Sequence, residues 1–520
     1  MDPATTSGRP STAAARITPV AWTVAGMAIA VAAVVLRLYD LELKPLHHDE
    51  GVNGHFLRLL VEPPHVYRYD PKNYHGPTLY YFGKVAADSL GLTTFAIRLV
   101  PALAGIAIVL LLFPLRRWIG AAGALSGAAL IAVSPGAVYL SRYFIHETLL
   151  VCFTLWTVVA GWKYVETRKG IYAVAAAFLL GLAFATKETA IISTGVLVIA
   201  AILTWTTGGY GLLERPTLSR LRAVATITPV NRRAITAAML QRAAALAGLC
   251  LAVFLGTALV FFSSWFTHWN GVTDAARSFA HWSDTGTQAH RHPWYTYLRW
   301  LSNQEASILI GGLLGALWGL WQAENRFARF VSLWAIGTLL AYSLIPYKTP
   351  WLTLNLVVPF GVCAGYFVDV IVRNRAATVC RTVLALTILA LAWSTYQTMV
   401  LNFIRYDDDR LTYPYAHTSR QILDLVRRID RAREHAPRGT RVAVAVLSPD
   451  HFPLSWYLRS YPIGYYGRIV DTRDPICIVS GRQDGDVRGV LEPGYVRSGP
   501  YLLRPGVTLV LYIRQDLASE

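Results

Sequence analysis

Two adjacent carboxylates follow the first long hydrophobic segment of the chain. Asp49 and Glu50 come just after it and are flanked by His47 and His48, with His55 one helical turn further on. A carboxylate at a membrane surface can act as a general base if it reaches the hydroxyl of an acceptor. Alternatively, both residues cap a helix that begins at the next residue, because carboxylates are stabilising at a helix N-terminus. The accompanying histidines favour a functional cluster over capping alone.

Two further polar clusters lie where the chain turns between apolar segments. His75 precedes Gly76-Pro77 and suits a metal ligand, a phosphate contact or a polar anchor at the lipid head groups. Arg142 and Glu147 share a short turn, where the guanidinium suits a phosphate and the carboxylate suits a cation or a second polar contact. An ion pair between Arg142 and Glu147 that holds the turn is an equally good interpretation.

Two lysines are expected on the same surface as the acid pair. Lys187 lies between two apolar segments, and Lys348 lies between two others beside Tyr347 and Trp351. Both lysines run against the general bias of cations toward the opposite side, and an anionic ligand would explain them. The alternative is that each lysine extends toward water beside apolar neighbours.

A separate aromatic segment, residues 265–303, contains His281, His290 and His292. Three histidines could bind a metal, but their spacing matches no familiar site. An ordinary polar loop is the favoured interpretation.

The elements that must position these residues are membrane helices. The chain of 520 residues is 54% hydrophobic and 15% charged, whereas soluble domains average about 25% charged. A spanning helix needs about 20 mostly apolar residues. About eleven segments meet this requirement, near residues 17–38, 95–115, 120–139, 147–165, 170–186, 190–206, 243–264, 304–322, 328–345, 352–372 and 379–400. We therefore expect an α-helical polytopic membrane protein, with residues 1–400 as its transmembrane domain.

The net charge of +17 is distributed as a topology signal. Most arginines and lysines before residue 400 fall on one side, including the arginine-rich connector 207–242. This bias predicts a cytoplasmic N-terminus in the plasma membrane, with contacts to anionic membrane lipids. It argues against nucleic-acid binding. The five cysteines offer no disulfide framework or thiolate metal cluster.

The remaining segments face the opposite, extracytoplasmic side. In the first of them, residues 39–94, residues 52–61 are predicted to be helical and residues 77–90 to form an amphipathic helix in the membrane interface. Residues 401–520 are predicted to form a small α/β domain, with a helix at 419–436, a helical turn at 453–460 and strands at 441–447, 475–479, 501–503 and 507–513. No long internal repeat is visible, which weakens a transporter interpretation.

Taken in order, these motifs resemble the GT-C glycosyltransferases. The chain is similar to the branch of protein O-mannosyltransferases and aminoarabinose lipid A transferases, which use polyprenyl-phosphate sugars, and it most resembles the "flippase activity-associated" family of archaea and bacteria. The tail shares the likeness more loosely, through residues 449–451 and 453–459. The motifs that carry the resemblance in the membrane part are His48-Asp49-Glu50-Gly51, Tyr74-His75-Gly76-Pro77, Ser141-Arg142-Tyr143-Phe144-Ile145-His146-Glu147, Lys187-Glu188-Thr189, His292-Pro293-Trp294-Tyr295 and Tyr347-Lys348-Thr349-Pro350-Trp351.

The resemblance implies a role for each of these residues. Asp49 would be the catalytic base and Glu50 its polar support, and a divalent metal would lie near Asp49 and Glu147. The substrate-binding set would comprise His75, Arg142, Glu147, Lys187, Tyr347, Lys348 and His292, with the lipid phosphate held by the arginine and the lysines. The chain departs from the aminoarabinose transferases at residues 75–77, where they have Glu-Lys-Pro and this chain has His-Gly-Pro. Another residue would have to bind the phosphate in place of that lysine.

The implied reaction transfers a sugar from a polyprenyl-phosphate donor to a hydroxyl of a glycan, lipid or protein. A single displacement needs one carboxylate as base, whereas a retaining double displacement needs two opposed carboxylates about 5 Å apart. Neighbouring residues seldom face one site from opposite sides, so we expect inversion. Two other functions stay open at this point, a flippase or transporter of lipid-linked sugars and a scaffold for envelope glycan assembly.

Overall fold

The computed structural model describes residues 17–73, 75–207, 229–288, 290–321, 325–437 and 439–518. Tyr74, residues 208–228 of the arginine-rich connector and the side chain of His281 lie outside the described part. The helices that precede the C-terminal region are α1 (Pro19–Leu38), α2 (His48–Val61), α3 (Thr78–Leu90), α4 (Thr94–Leu110), α5 (Arg116–Ile119), α6 (Ala121–Ala132), α7 (Pro135–Ser141), α8 (Glu147–Thr167), α9 (Gly170–Phe184), α10 (Ala190–Thr207), α11 (Pro229–Phe262), α12 (Asn270–Gln288), α13 (Thr296–Gln304), α14 (Ala306–Trp321), α15 (Arg326–Leu344), α16 (Leu354–Asn374) and α17 (Ala377–Met399).

Within the described residues, eight helices are long and apolar enough to cross a membrane, or nine if the bent pair of α6 and α7 forms one span. The shorter apolar helices α9 and α14 occupy two further predicted positions. Every predicted segment therefore coincides with an apolar helix, and the helical membrane architecture is confirmed. The number of eleven spans stays a prediction.

The bend between α6 and α7 measures 60° and has a local cause. Pro135 has no backbone N–H to continue the helix, and the Ser134 side chain caps the new one by accepting from Ala137 N at 3.1 Å. The helix α7 begins at this bend and ends at Ser141. Residues 142–146 then lead directly into α8, and Ile145 and His146 at the end of this segment line the site.

The helix α16 lies at the centre of the bundle. In its most apolar stretch, 89% of the residues are buried, and it packs against α6 and α14. These contacts rest on glycines: a Cβ on Gly315 would overlap the carbonyl oxygen of Cys363, and one on Gly365 would overlap that of Gly123. Small residues let membrane helices approach backbone to backbone. The central helix therefore has a fixed position, and the segment that leads into it carries Tyr347 and Trp351 to the site.

The last region forms a five-stranded sheet covered by helices. Its strand order is β2-β1-β3-β5-β4, with β1 parallel to β2 and β3, and β5 antiparallel to β3 and β4. The elements are α18 (Gln421–His435), β1 (Val444–Val446), α19 (Leu454–Tyr457), β2 (Ile463–Tyr465), β3 (Ile476–Ser480), α20 (Asp484–Leu491), β4 (Tyr495–Arg504) and β5 (Val507–Arg514). Short 3-10 turns lie at Phe113–Leu115, Pro350–Thr353 and Gln515–Leu517, and a π turn lies at Val400–Ile404.

The predicted small α/β domain is confirmed, with differences in detail. The predicted helix and strands are present, but β2 and α20 were not predicted, and β4 begins at Tyr495, ahead of the predicted residue 501. The strand β2 has only three residues and is not fully buried, and α20 contains Gly485 and Gly489, so neither has a clear periodic pattern. The division of the chain at residues 400 and 401 stays a prediction.

The C-terminal domain rests on the helix that carries the acid pair. A Cβ on Gly51 would lie 2.7 Å from Pro453, and one on Gly54 would lie 2.7 Å from the ring of Trp456. The Trp456 indole N–H also donates to the Thr94 hydroxyl at 3.1 Å. The glycines of α2 are therefore required for the close approach of this helix to the C-terminal domain, and the contact holds α2 in place.

Candidate active site

A polar cavity of about 310 Å³ lies where the loops at one end of the bundle meet. Asp49 and Asn53 of α2 form one wall, and residues 145–147 and 187–189 form the opposite one. The complete lining is Asp49, Val52, Asn53, Lys72, Asn73, His75, Ile145, His146, Glu147, Lys187, Glu188, Thr189, Trp282, His290, Tyr347, Trp351 and Leu352. The cavity thus brings together five of the predicted site residues, namely Asp49, His75, Glu147, Lys187 and Tyr347.

Asp49 presents a partly exposed carboxylate to this cavity. Its side chain is 41% exposed, and one oxygen lies 3.8 Å from Nδ1 of His47. The backbone N–H of Asp49 donates to the same Nδ1 at 3.1 Å, which fixes the first turn of α2. Within the described ranges, the carboxylate accepts no hydrogen bond. It is therefore available to accept a proton from a ligand.

Glu50 points away from the cavity and is completely buried. Arg98 donates to both of its oxygens, at 2.8 and 2.7 Å, and the backbone N–H groups of His47 and Phe144 each donate at 2.9 Å. Burial by itself would raise the pKa of Glu50, but the Arg98 guanidinium outweighs it and holds the pKa below its usual value. The predicted capping role is therefore present at Glu50, in a capping box with His47.

His75 is positioned by the glycine that follows it. A Cβ on Gly76 would overlap the carbonyl oxygen of Ala185, and Gly76 N donates to Thr186 O at 3.0 Å. This close approach places His75 Nδ1 3.0 Å from a Glu188 oxygen. Burial would raise the pKa of Glu188, yet His75 and Lys187 hold it below its usual value. The Gly-Pro step thus joins the α3 loop to the α9–α10 loop.

Glu147 and Lys187 form a buried ion pair on the opposite wall. Burial favours the neutral form of Lys187, but Glu147 and then Glu188 raise its pKa above the usual value. His146, next to Glu147, is buried and contacts the Gly76 carbonyl through Nε2 at 3.1 Å. Burial, together with His75 and Lys187, holds the pKa of His146 well below its usual value, so it is neutral. The predicted ion pair between Arg142 and Glu147 is wrong.

Two predicted phosphate ligands do not reach the cavity. Arg142 is fully buried and donates to backbone carbonyls at the end of α1, including Tyr39 O at 2.6 Å. Lys348 donates to the Ser343 carbonyl at 3.0 Å and is also buried. Neither side chain lines the cavity. Both cations satisfy carbonyls at helix ends, which sequence spacing does not reveal.

His292 lies in a neighbouring cavity of about 450 Å³ with Arg299, Trp300 and Tyr415. Its pKa is lowered first by burial and then by the nearby cations and His290. His290 belongs to the main cavity, and its Nδ1 lies 3.1 Å from the Tyr415 hydroxyl. The pair His290–Tyr415 therefore stands between the two cavities.

The residues present do not fit the predicted metal site. Asp49 and Glu147 both line the cavity, but Glu147 is paired with Lys187. Among the residues that the structure describes, no three His, Cys, Asp or Glu side chains are arranged to hold a metal ion. A divalent site on Asp49 and Glu147 has too few protein ligands of its own.

The structure adds lining residues that sequence reasoning missed. Lys72 lines the cavity, is exposed and forms no ion pair within the described part of the chain. It lies four residues before Gly76, the position at which the resemblance places the lysine of the aminoarabinose transferases. Glu188 belongs to the motif Lys187-Glu188-Thr189 but was not predicted as a site residue. Asn53 carried no signal except its position one turn after Asp49 on α2.

Residues 74–230 match the family model described as dolichyl-phosphate-mannose-protein mannosyltransferase. A comparison with curated proteins finds no significant match. The chain is similar in structure to ArnT from Cupriavidus metallidurans bound to undecaprenyl phosphate, with a TM-score of 0.65, 16% identity and coverage of 97% of this chain and 100% of that one. The apo state of ArnT has a TM-score of 0.62, 15% identity and coverage of 96% and 99%.

A third structure, the oligosaccharyltransferase of Archaeoglobus fulgidus in complex with Zn and sulfate, has a TM-score of 0.55 and 13% identity. That alignment covers 95% of this chain and 75% of the other. The closer resemblance to the "flippase activity-associated" family stays a prediction. The structural alignments show that the chain shares the fold of ArnT and of this oligosaccharyltransferase, and the family model matches residues 74–230 of it.

Proposed function

We propose that this chain transfers a sugar from a polyprenyl-phosphate donor to an acceptor hydroxyl, with Asp49 as the general base and inversion at the anomeric carbon. The observation that carries the proposal is the partly exposed Asp49 carboxylate on the cavity wall, where the other carboxylates are engaged by Lys187 and His75. The donor class is supported by ArnT, which shares the fold and binds undecaprenyl phosphate.

The reaction in this proposal is one displacement. The acceptor oxygen attacks the anomeric carbon while Asp49 takes the hydroxyl proton. The bond between that carbon and the phosphate oxygen breaks, and polyprenyl phosphate leaves with the electron pair. Only one carboxylate is needed, and Glu50 is unavailable as a second one because Arg98 occupies both of its oxygens. Glu50 is a positioning residue in this scheme.

The departing phosphate gains charge and needs donors on the cavity wall. Lys72 is the cation that we assign to this role, since its ammonium is exposed and unpaired within the described ranges. Lys187 is held by Glu147, and this pair gives the opposite wall a fixed geometry. No step of the proposal passes through a metal, because the described side chains around Asp49 and Glu147 do not form a metal site.

The reaction is proposed to occur at the outer face of the plasma membrane. The support is the distribution of arginine and lysine, which predicts a cytoplasmic N-terminus, and the contact of the C-terminal domain with α2, the helix that carries Asp49. Residues 401–520 would then form the extracytoplasmic domain that covers the site. The acceptor would be a glycan, lipid or protein of the envelope.

The test is release of polyprenyl phosphate by the purified full-length protein from a panel of polyprenyl-phosphate hexoses and pentoses, with crude envelope glycans as acceptor. Asp49→Asn should lower release at least about a hundredfold, because it removes the base and keeps the shape. Asp88→Asn is the matched control, since Asp88 is exposed on α3 and pairs with Lys84.

Equal release by wild type and Asp49→Asn would overturn the assignment of the base. Donor binding without release from any donor would favour the flippase or scaffold function. Determining the anomeric configuration of the product tests inversion, and a product with the configuration of the donor would exclude the single displacement.

A further inference from the structure

A second polar groove lies beside the active-site cavity. It consists of the cavity that contains His292 and an adjoining one of about 410 Å³, and the two share the lining residues Asn303, Arg410, Leu411 and Thr412. Its walls come from α13, the end of α17 and residues 405–415. No step of the proposed reaction uses it.

One end of this groove opens on the lipid-facing side of an apolar helix. Trp393 and Tyr396 line it and are 53% and 60% exposed, with ring centroids 5.7 Å apart. Both lie near the end of the predicted span 379–400, so Tyr396 is about 6 Å from the end of that span at 1.5 Å per residue. Tryptophan and tyrosine at this depth mark the boundary between acyl chains and head groups. A molecule anchored in the membrane can therefore enter the groove from the side.

The middle of the groove carries a cation with no carboxylate partner. Arg405 and Arg410 both pair with Asp408, at 2.6 and 2.9 Å. Arg299 is exposed, and it makes no ion pair within the part of the chain that the structure describes. Asp409 also lines the groove, so the three arginines face two aspartates. The surplus positive charge suits a phosphate, which a guanidinium can bind through two oxygens.

The other end of the groove meets the active-site cavity. Tyr415 lines the groove, and His290 and Trp351 line the cavity. The Tyr415 hydroxyl lies 3.1 Å from His290 Nδ1, and the Tyr415 ring lies 6.3 Å from that of Trp351. One layer of side chains therefore separates the two spaces. A ligand bound at Arg299 needs to extend only past this layer to reach the cavity wall that carries Asp49.

We propose that this groove binds the phosphate-bearing head group of a membrane-anchored lipid acceptor and presents its hydroxyl to the cavity. That the groove binds a lipid head group is independent of the proposed function. That the bound lipid is the acceptor rests on the proposed function. The lipid chains lie against Trp393 and Tyr396, and Arg299 binds the phosphate. The active site then receives its acceptor along a route that is bounded by α13 and α17.

The first experiment measures lipid retention by the full-length protein in detergent, with phosphatidylglycerol or the phosphate-free diacylglycerol as probe and mass spectrometry as readout. Wild type should retain phosphatidylglycerol in preference to diacylglycerol. Arg299→Gln should lower its retention about tenfold, the usual effect of losing a charge-assisted hydrogen bond. Arg299→Lys should recover part of it. Arg482→Gln is the control, because Arg482 is exposed in the C-terminal domain and lines neither cavity.

The second experiment measures transfer to the lipid fraction of crude envelope. Arg299→Gln should raise the KM for that fraction about tenfold, with an unchanged thermal midpoint. Equal retention of both probes by wild type, or equal phosphatidylglycerol retention by wild type and Arg299→Gln, overturns the groove as a phosphate site. An unchanged KM, or transfer to protein alone, overturns its role as the acceptor site. If wild type transfers no sugar, the proposed function fails while the retention assay still tests the groove.

Discussion

Charged residues of the same types lie on the wall of the cavity, which includes Asp49, and in a polar network behind it, which surrounds Glu50 and Arg98. The Asp49 carboxylate is partly exposed, whereas the charged residues of the network are buried. In the network, Glu50 and Arg98 are fully buried, and Arg98 also donates to the carbonyls of Leu41 and Lys44 at 2.9 Å each. On the wall, Asp49 is 41% exposed and accepts no hydrogen bond within the described ranges. Charges that are buried and fully paired maintain the shape of the loop, whereas an unpaired carboxylate on the wall can perform chemistry.

The cations divide in the same way. Arg142 lies in the network and is satisfied by carbonyls at the end of α1. Lys72 lies on the wall and is exposed. A buried charge without partners is costly, so the terminal guanidinium nitrogens of Arg142 and Arg98 donate to carbonyls or carboxylates of the fold. On the wall, Lys187 is held by Glu147, so Lys72 is the lysine of the described lining that is left for a phosphate.

The largest expected effect comes from breaking the network. Arg98→Met should lower the free energy of unfolding by about 3–5 kcal/mol, because it leaves Glu50 buried without its cation. The measurement is thermal unfolding of the protein in detergent. Replacing Glu50 by leucine in the same variant should recover much of the loss, because no unpaired charge then remains.

The control for this variant is Lys84→Met. Lys84 pairs with Asp88 one turn away on the exposed side of α3, and such pairs contribute about 0.3–0.5 kcal/mol. If Arg98→Met and Lys84→Met lowered the unfolding temperature equally, the distinction between network and wall would be lost.

A smaller effect is expected from removing the wall cation. Lys72→Gln should raise the KM for a polyprenyl-phosphate donor about tenfold with little change in stability, because the proposed function assigns Lys72 to the phosphate and it pairs with no carboxylate of the described residues. Arg142→Gln should do the reverse and lower stability, because it leaves buried carbonyls without a donor. Steady-state kinetics and thermal unfolding of both variants check the pair of expectations, and a donor KM that depends on Arg142 would contradict them.

The smallest effect concerns pH. Burial holds the pKa values of His146 and His417 well below the usual range, so both are neutral in the folded chain. The unfolded chain binds protons at these positions below about pH 6.5, and stability that is present above this pH is lost as the pH falls. The thermal midpoint should therefore be lower at pH 5.5 than at pH 8. His417→Gln should reduce the difference by less than about 1 kcal/mol, and an unaltered difference would argue against this cause.

The sequence predicted the wall better than the network. Asp49, His75 and Glu147 were predicted as site residues, and the cavity brings them together. Arg98 was not predicted at all, since a lone arginine inside an apolar segment shows no partner in the sequence. Lys72 was missed because it belongs to no motif, although the altered residues at 75–77 indicated that some other cation was needed.

The apolar helices, the C-terminal α/β domain and the acid pair at the start of α2 follow from the sequence by itself, because composition and local periodicity express them. The tertiary structure alone decided which charges pair, because the partners are distant in the chain. Glu50 and Arg98 are 48 residues apart, and Glu147 and Lys187 are 40 residues apart. Packing therefore placed Glu50 in the network and left its neighbour Asp49 on the wall. A buried carboxylate needs a partner within the protein, whereas an exposed carboxylate can interact with water or a ligand.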